Sequence, residues 1–205
     1  MYPGKYAVAH PDRAAFVMAS SGESVSYAEF EARANRLTHL LQNEGLSRQD
    51  HYSIMMENNN RYLEACAAGE RAGLYYTCIN SYLTADELAY ILDNSESQIL
   101  ITSMSKLEVA TDAVAQSSKV RKVLVVDADA NKLPDGFEDY ATACQSFPAT
   151  PIDNERLGTS MLYSSGTTGR PKGIIRPLPE QPPAQALPMY DFLGQLWHYR
   201  EDMIY

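Results

Sequence analysis

Short apolar runs alternate with longer segments whose apolar residues recur every three or four positions, and this alternation constrains the fold more than any other property of the chain. Ala14 to Met18, Tyr52 to Met56, Leu74 to Ile79, Gln98 to Thr102 and Val123 to Val126 read as strands. Between them lie helix signals with explicit starts and stops. Ser26 and Glu29 form a capping box ahead of Phe30, Ala34, Leu37 and Leu41, and Gly45 closes that helix. A helix over Arg61 to Ala72 stops at Gly73. Thr84 and Glu87 open another, which carries Leu88, Ile91 and Leu92 before Asn94, and a further helix is expected near Ser105 to Gln116. Helices of this length between successive strands serve as crossovers, and crossovers produce a mainly parallel sheet with helices on both faces. The expected fold class is α/β.

A chain of 205 residues is long enough to bury about 70% of its unfolded surface in a real core. Asn131 to Pro151 is polar and turn-rich, so an irregular connection with one short helix around Asp139 is expected there. Thr159 to Tyr163 reads as one more strand, with Gly173 to Arg176 as its hairpin partner. Five prolines fall between Pro177 and Pro188, which removes backbone donors and predicts an extended arm. Tyr190 to Tyr205 reads as an amphipathic helix whose Phe192, Leu193, Leu196, Trp197 and Tyr199 need a partner surface. The expected organisation is an α/β portion over 1–176, a Pro-rich arm over 177–189 and a helix over 190–205.

The strand ending at Tyr163 delivers a loop, SSGTTGRPKG from Ser164 to Gly173, whose residue choices suit a polyphosphate. Gly166 and Gly169 let successive backbone N–H groups turn into an anion-binding concavity. Ser164, Ser165, Thr167 and Thr168 add small hydroxyl donors, and Lys172 supplies a charge for non-bridging oxygens. A phosphate site where a strand ends is the general habit of α/β sheets. A Walker-type loop does not fit, because Lys172 is followed by Gly173 rather than by a hydroxyl and Pro171 stands where the second glycine should be. The dinucleotide pattern G-x-G-x-x-G also fails.

The string Tyr163 to Gly173, YSSGTTGRPKG, resembles the AMP-binding signature of the adenylate-forming superfamily, which includes acyl-CoA synthetases, luciferases and the adenylation domains of peptide synthetases. Ser26 to Phe30, Ala72 to Asn80 and Leu83 to Ile91 are similar to the corresponding segments of acyl-CoA synthetases. The resemblance implies the N-terminal part of the large domain of such an enzyme, with Ser164, Ser165, Gly166, Thr167, Thr168, Gly169 and Lys172 on the phosphates of ATP. It implies an ATP-dependent acid–thiol ligase that activates a carboxylic acid, a fatty acid by the match of the upstream segments, as an acyl-adenylate and passes it to coenzyme A. The magnesium ligand and the catalytic groups of that family belong to segments downstream, so no catalytic residue is assigned within this chain and the chain alone is expected to be inactive. The Pro-rich stretch departs from the commonest family pattern while leaving the loop intact. Two other readings stay open: a stand-alone nucleotide-binding or scaffold module without turnover, and an adenylation domain serving another acceptor.

Charge and cysteine usage narrow the remaining classes. A net charge of −9 argues against a nucleic-acid partner or an anionic membrane surface, and Arg170, Lys172 and Arg176 stand out against it. Cys66, Cys78 and Cys144 are too widely spaced for a zinc site or a disulfide framework, and Cys66 and Cys78 read as small core residues. The scattered His10, His39, His51 and His198 read as surface or helix residues. No signal peptide or membrane span is evident, so the cytoplasm is the expected location. The expected partners are the small-molecule acid, ATP and coenzyme A, with a homo-oligomer left open.

Overall fold

The structure is a computed structural model, and it describes residues 2–164, 170–185, 187–200 and 203. Helix α1 (Gly4–Ala9), strands β1 (Ala14–Val17) and β2 (Ser24–Ser26) and helix α2 (Tyr27–Asn43) come first. Then strands and helices alternate: β3 (His51–Met55), α3 (Tyr62–Ala72), β4 (Tyr75–Cys78), α4 (Ala85–Asn94), β5 (Ser97–Ser103), α5 (Leu107–Val114) and β6 (Lys122–Val126). β7 (Phe137–Asp139), α6 (Tyr140–Gln145), β8 (Thr159–Ser160), β9 (Leu162–Ser164), β10 (Lys172–Ile174) and α7 (Pro188–Leu196) follow.

Both expected capping boxes close. The Glu29 N–H donates to Ser26 Oγ at 3.2 Å while the Ser26 N–H donates to the Glu29 carboxylate at 2.9 Å, and Thr84 and Glu87 repeat the exchange. At the other end of α3, Gly73 takes a left-handed conformation with φ of 68°, which a side chain would strain, and so ends the helix.

Six parallel strands form the central sheet in the order β7-β6-β5-β3-β4-β8. Its strands bury both faces because successive side chains point to opposite sides. Ile99, Ile101, Leu124 and Val126 meet α2, α3 and α6, whereas Leu100, Val123 and Val125 meet α4 and α5. A fully buried leucine such as Leu37 or Leu88 contributes about 1.5–3 kcal/mol, so the two layers of helix hold the sheet from either side. β3 and β5 are followed by helices on opposite faces, and there Glu57 accepts hydrogen bonds from Ser103 and Ser105 at 2.5 and 2.6 Å, tying the two strand exits together.

The segment 131–151 holds the expected helix, α6, capped by Asp139, but it also contributes β7, an edge strand paired with β6 through Val123 and Phe137. Its short, polar Phe-Glu-Asp sequence carries no alternation to announce it, so the pairing is set by the neighbour. The expected single strand over 159–163 is two strands, β8 in the sheet and β9 in a separate two-stranded ribbon with β10. Between β10 and α7 the described residues of the Pro-rich arm form no helix or strand, yet the arm folds back: Leu178 is buried, and the Leu157 N–H donates to the Gln181 carbonyl at 2.9 Å. The last helix runs over Pro188–Leu196 rather than 190–205, since Pro188 suits the first turn and His198, with φ of 52°, cannot continue it. Cys66 is buried as expected, but Cys78 is exposed at the end of β4 and is not a core residue.

Two buried charges sit between the helices on one face. Arg71, fully buried, pairs with both oxygens of Glu31 at 2.8 and 2.9 Å and also donates to Asn35. Glu64 accepts from the Tyr140 hydroxyl at 2.9 Å and lies 3.4 Å from Arg61 and 4.0 Å from Arg33. Burial pushes its carboxyl up to about 7 against the opposing pull of Arg61, Tyr140 and Arg33.

Candidate functional site

The candidate site is the ribbon that grows from the edge of the sheet. β8 pairs with β4 through Tyr75 and Thr159, and the Met161 N–H still donates to the Tyr76 carbonyl at 2.9 Å before the chain turns away as β9. β9 and β10 then pair antiparallel, with Ser164 directly opposite Lys172 and Tyr163 opposite Gly173. Two of the expected phosphate-binding residues are thereby brought together at the mouth of the connecting segment. Both are exposed, and Lys172 makes no ion pair among the described residues. Ser165, Gly166, Thr167, Thr168 and Gly169 lie outside the described residues.

Helix α4 fixes the ribbon at both of its strands. The Tyr163 hydroxyl donates to Asn94 Oδ1 at 2.7 Å, and the Tyr90 hydroxyl donates to the Pro171 carbonyl at 3.1 Å. Tyr90 and Asn94 are four apart on one face of α4, so a single helix surface grips the strand entering the loop and the strand leaving it. The Arg170 guanidinium lies over the Tyr90 ring at 5.3 Å, a cation–π contact on the exit side. Burial, with Tyr90 adding to it, raises the Tyr163 hydroxyl to about 12, so it remains a proton donor to Asn94 across the physiological range.

The other side of the ribbon rests on β4. The Tyr75 hydroxyl donates to the Arg176 carbonyl at 2.7 Å, and Tyr75, Met161 and Leu178 form a small apolar cluster beneath it. A Cβ on Gly173 would sit 2.3 Å from Met161 Cε and 3.0 Å from the Tyr163 ring, so the bare backbone here lets the ribbon pack flat. Arg48 donates to the Leu178 and Pro179 carbonyls at 3.3 and 3.2 Å and pairs with Glu180 at 3.0 Å, anchoring the start of the Pro-rich arm.

Chemically, this arrangement presents exposed cations and a hydroxyl at the end of a parallel strand, where an anionic ligand is favoured. The groove beside α4, of about 440 Å³, is lined by Asp86 and Asp93 and offers no such cations. Asp93 is itself committed to the Ser117 hydroxyl and Ser118 N–H at 2.6 and 3.0 Å, which hold its carboxyl below the usual range despite some burial. Among the described residues no three His, Cys, Asp or Glu side chains converge as a group that could hold a metal ion. Sequence reasoning found the loop but missed Tyr75, Tyr90 and Asn94 as its positioning residues. Tyr90 and Asn94 have helical spacing, but nothing in the sequence joins their helix to a loop some seventy residues later.

Among the described residues no helix is long and apolar enough to cross a membrane. A family model described as AMP-binding enzyme matches residues 5–178. The chain is 32% identical over 170 residues to a 3-oxocholest-4-en-26-oate–CoA ligase of Rhodococcus rhodochrous, covering 80% of this chain and 30% of that protein. It is 31% identical over 160 residues to a 3-methylmercaptopropionyl-CoA ligase of Ruegeria pomeroyi, covering 75% of this chain and 30% of the relative. The chain thus spans about a third of the length of the curated relatives it matches. The fold is shared with the crystal structure of an anthranilate CoA ligase in complex with anthranoyl-AMP, with a TM-score of 0.72 at 18% identity over 84% of this chain and 32% of that one. With residues 5–178 matched by the family model, most of its length, the chain belongs to the AMP-binding enzyme family.

Proposed function

We propose that this chain is the N-terminal, phosphate-gripping portion of an ATP-dependent acyl-CoA ligase. The observation that carries the reading is the register of the ribbon, which sets Ser164 against Lys172 at the mouth of the loop, together with relatives that are themselves named CoA ligases. Ser164, Ser165, Thr167 and Thr168 supply hydroxyls, Gly166 and Gly169 leave backbone N–H groups open, and Lys172 neutralises charge on the ATP phosphates. A carboxylate oxygen attacks the α-phosphorus, the α–β phosphoanhydride bond breaks, and pyrophosphate leaves. The thiol of coenzyme A then attacks the acyl carbonyl of the adenylate and AMP departs. Lys172 acts on the first step, where negative charge accumulates on the leaving pyrophosphate.

The acid is a fatty or related carboxylic acid in this reading; one relative from Mycobacterium marinum, 29% identical, carries medium/long-chain fatty acid in its name. The chain alone makes no acyl-CoA, because the groups that bind the acid and coenzyme A belong to the remainder of the enzyme. Carboxylate-dependent exchange between ATP and pyrophosphate tests both statements. In the full-length protein Lys172→Ala is expected to slow exchange by roughly 10²- to 10³-fold, the loss typical of removing one group that stabilises transition-state charge. Exchange at the wild-type rate would overturn the assignment of Lys172, and exchange by the 205-residue chain itself would overturn the reading that it is inactive alone. A panel of carboxylates in the same assay identifies the acid.

A further inference from the structure

Two of the cysteines form a close pair to which the proposed function assigns no role. Cys66, on α3, is buried, while Cys78, the last residue of β4, is exposed, and their sulfurs lie 3.7 Å apart. We propose that Cys66 and Cys78 are a thiol-oxidation site, with Cys78 the residue attacked by a hydroperoxide and Cys66 the residue that resolves the product into a reversible disulfide.

The placement divides the labour. Cys78 can be reached from solvent, and Cys66 cannot, so an oxidant meets Cys78 first. The Cys66 thiol hydrogen-bonds the Cys78 sulfur and, with Tyr62 adding to it, lowers the Cys78 thiol below its ordinary value against the opposing effect of burial, and so favours the thiolate there. The same hydrogen bond, with burial, drives Cys66 upward and keeps it a thiol. Low-pKa, accessible cysteines beside a second thiol are the arrangement that oxidises reversibly rather than proceeding to irreversible acids. Closing the gap to a bond of about 2.05 Å needs a sulfur movement of about 1.7 Å, within reach of rotation about the two Cα–Cβ bonds.

The chemistry balances without any group beyond the peroxide. The Cys78 thiolate attacks one peroxide oxygen, the O–O bond breaks, and hydroxide leaves to become water, which gives a sulfenic acid on Cys78. Cys66 sulfur then attacks Cys78 sulfur; the S–S bond forms, the S–O bond breaks, and the departing hydroxide takes the Cys66 proton as a second water. The thiols lose two electrons in all and the peroxide gains them.

The third cysteine supplies an internal control, because Cys144 is buried and burial raises its thiol to about 12. The folded, reduced chain is treated with one equivalent of hydrogen peroxide, alkylated, digested and analysed by mass spectrometry. The expected product has lost two hydrogens, yields a linked peptide pair containing Cys66 and Cys78, and returns to the starting mass with dithiothreitol. Before oxidation, Cys78 is expected to alkylate at least about tenfold faster than Cys144. In Cys66→Ser the Cys78 sulfenic acid is expected to persist and to be trapped by dimedone, with no linked pair. Sulfinic acid at Cys78 with Cys66 still free in the wild-type chain would overturn the proposal, as would a link from Cys78 to Cys144 or to a second molecule. The wild-type measurement stands by itself if the serine variant does not fold.

Discussion

Glu64 is a carboxyl whose protonation is tied to folding. In the native chain burial raises it to about 7, from an ordinary value of 4.5. The folded state therefore holds its proton more tightly than the unfolded state, and this group's contribution to stability is full below about 4.5 and is lost as pH rises through about 7. Denaturant midpoints for the wild type and Glu64→Gln, taken at about pH 5 and about pH 7, should differ in slope. The wild type is expected to lose stability relative to the variant across that interval, and an unchanged difference would show that Glu64 does not titrate there. Arg71 was equally hard to foresee. A charged residue in a helix reads as a solvated one, and the convergence of Glu31 and Asn35 from α2, with Glu155 at 3.9 Å and the Tyr2 ring beside it, explains how it lies fully buried.

At the scale of elements, the contact that seats the ribbon is the approach of β8 to α3. A Cβ on Gly158 would meet the Gly69 carbonyl oxygen at 2.3 Å and the Leu74 carbonyl oxygen at 2.4 Å, both backbone atoms that cannot step aside. Gly158→Ala is accordingly expected to destabilise the chain by about 1–3 kcal/mol or more, read from the denaturant midpoint. A stability equal to wild type would mean that β8 does not lie this close to α3. The helices and central strands were legible because each carried its own local signal: Ser26 and Thr84 capped their helices, Gly73 ended another, and apolar residues kept the period. β7 was not, and neither was the division of β8 from β9, since short strands take their form from a partner distant in sequence. The loop was legible as a string of residues, whereas the tyrosines that hold it emerged only from the packing of α4 and β4.

On the whole molecule, the apolar surface is unevenly distributed. Leu162 and Ile174, partners in the ribbon, are each 48% exposed, and Phe192, Leu196 and Trp197 along α7 are more exposed still. The partner surface expected for the last helix is thus not supplied by the described residues of this chain. The single tryptophan reports on that surface directly. Dilute chain is expected to show the red-shifted emission of a solvent-exposed indole, and a blue-shifted maximum that reverts on dilution would show that a second copy covers α7.

The strand order also sets a sequence of events in time. Since β8 lies beside β4 at one end of the sheet, the strands from β3 to β7 can assemble on a nascent chain before the loop-bearing segment has been made. Until β8 arrives, β4 is an open edge, exposed to whatever other strand comes near. Its four residues, Tyr75–Cys78, offer little length for a stray pairing, and the segment that finally closes it is the one that leads on into the ribbon.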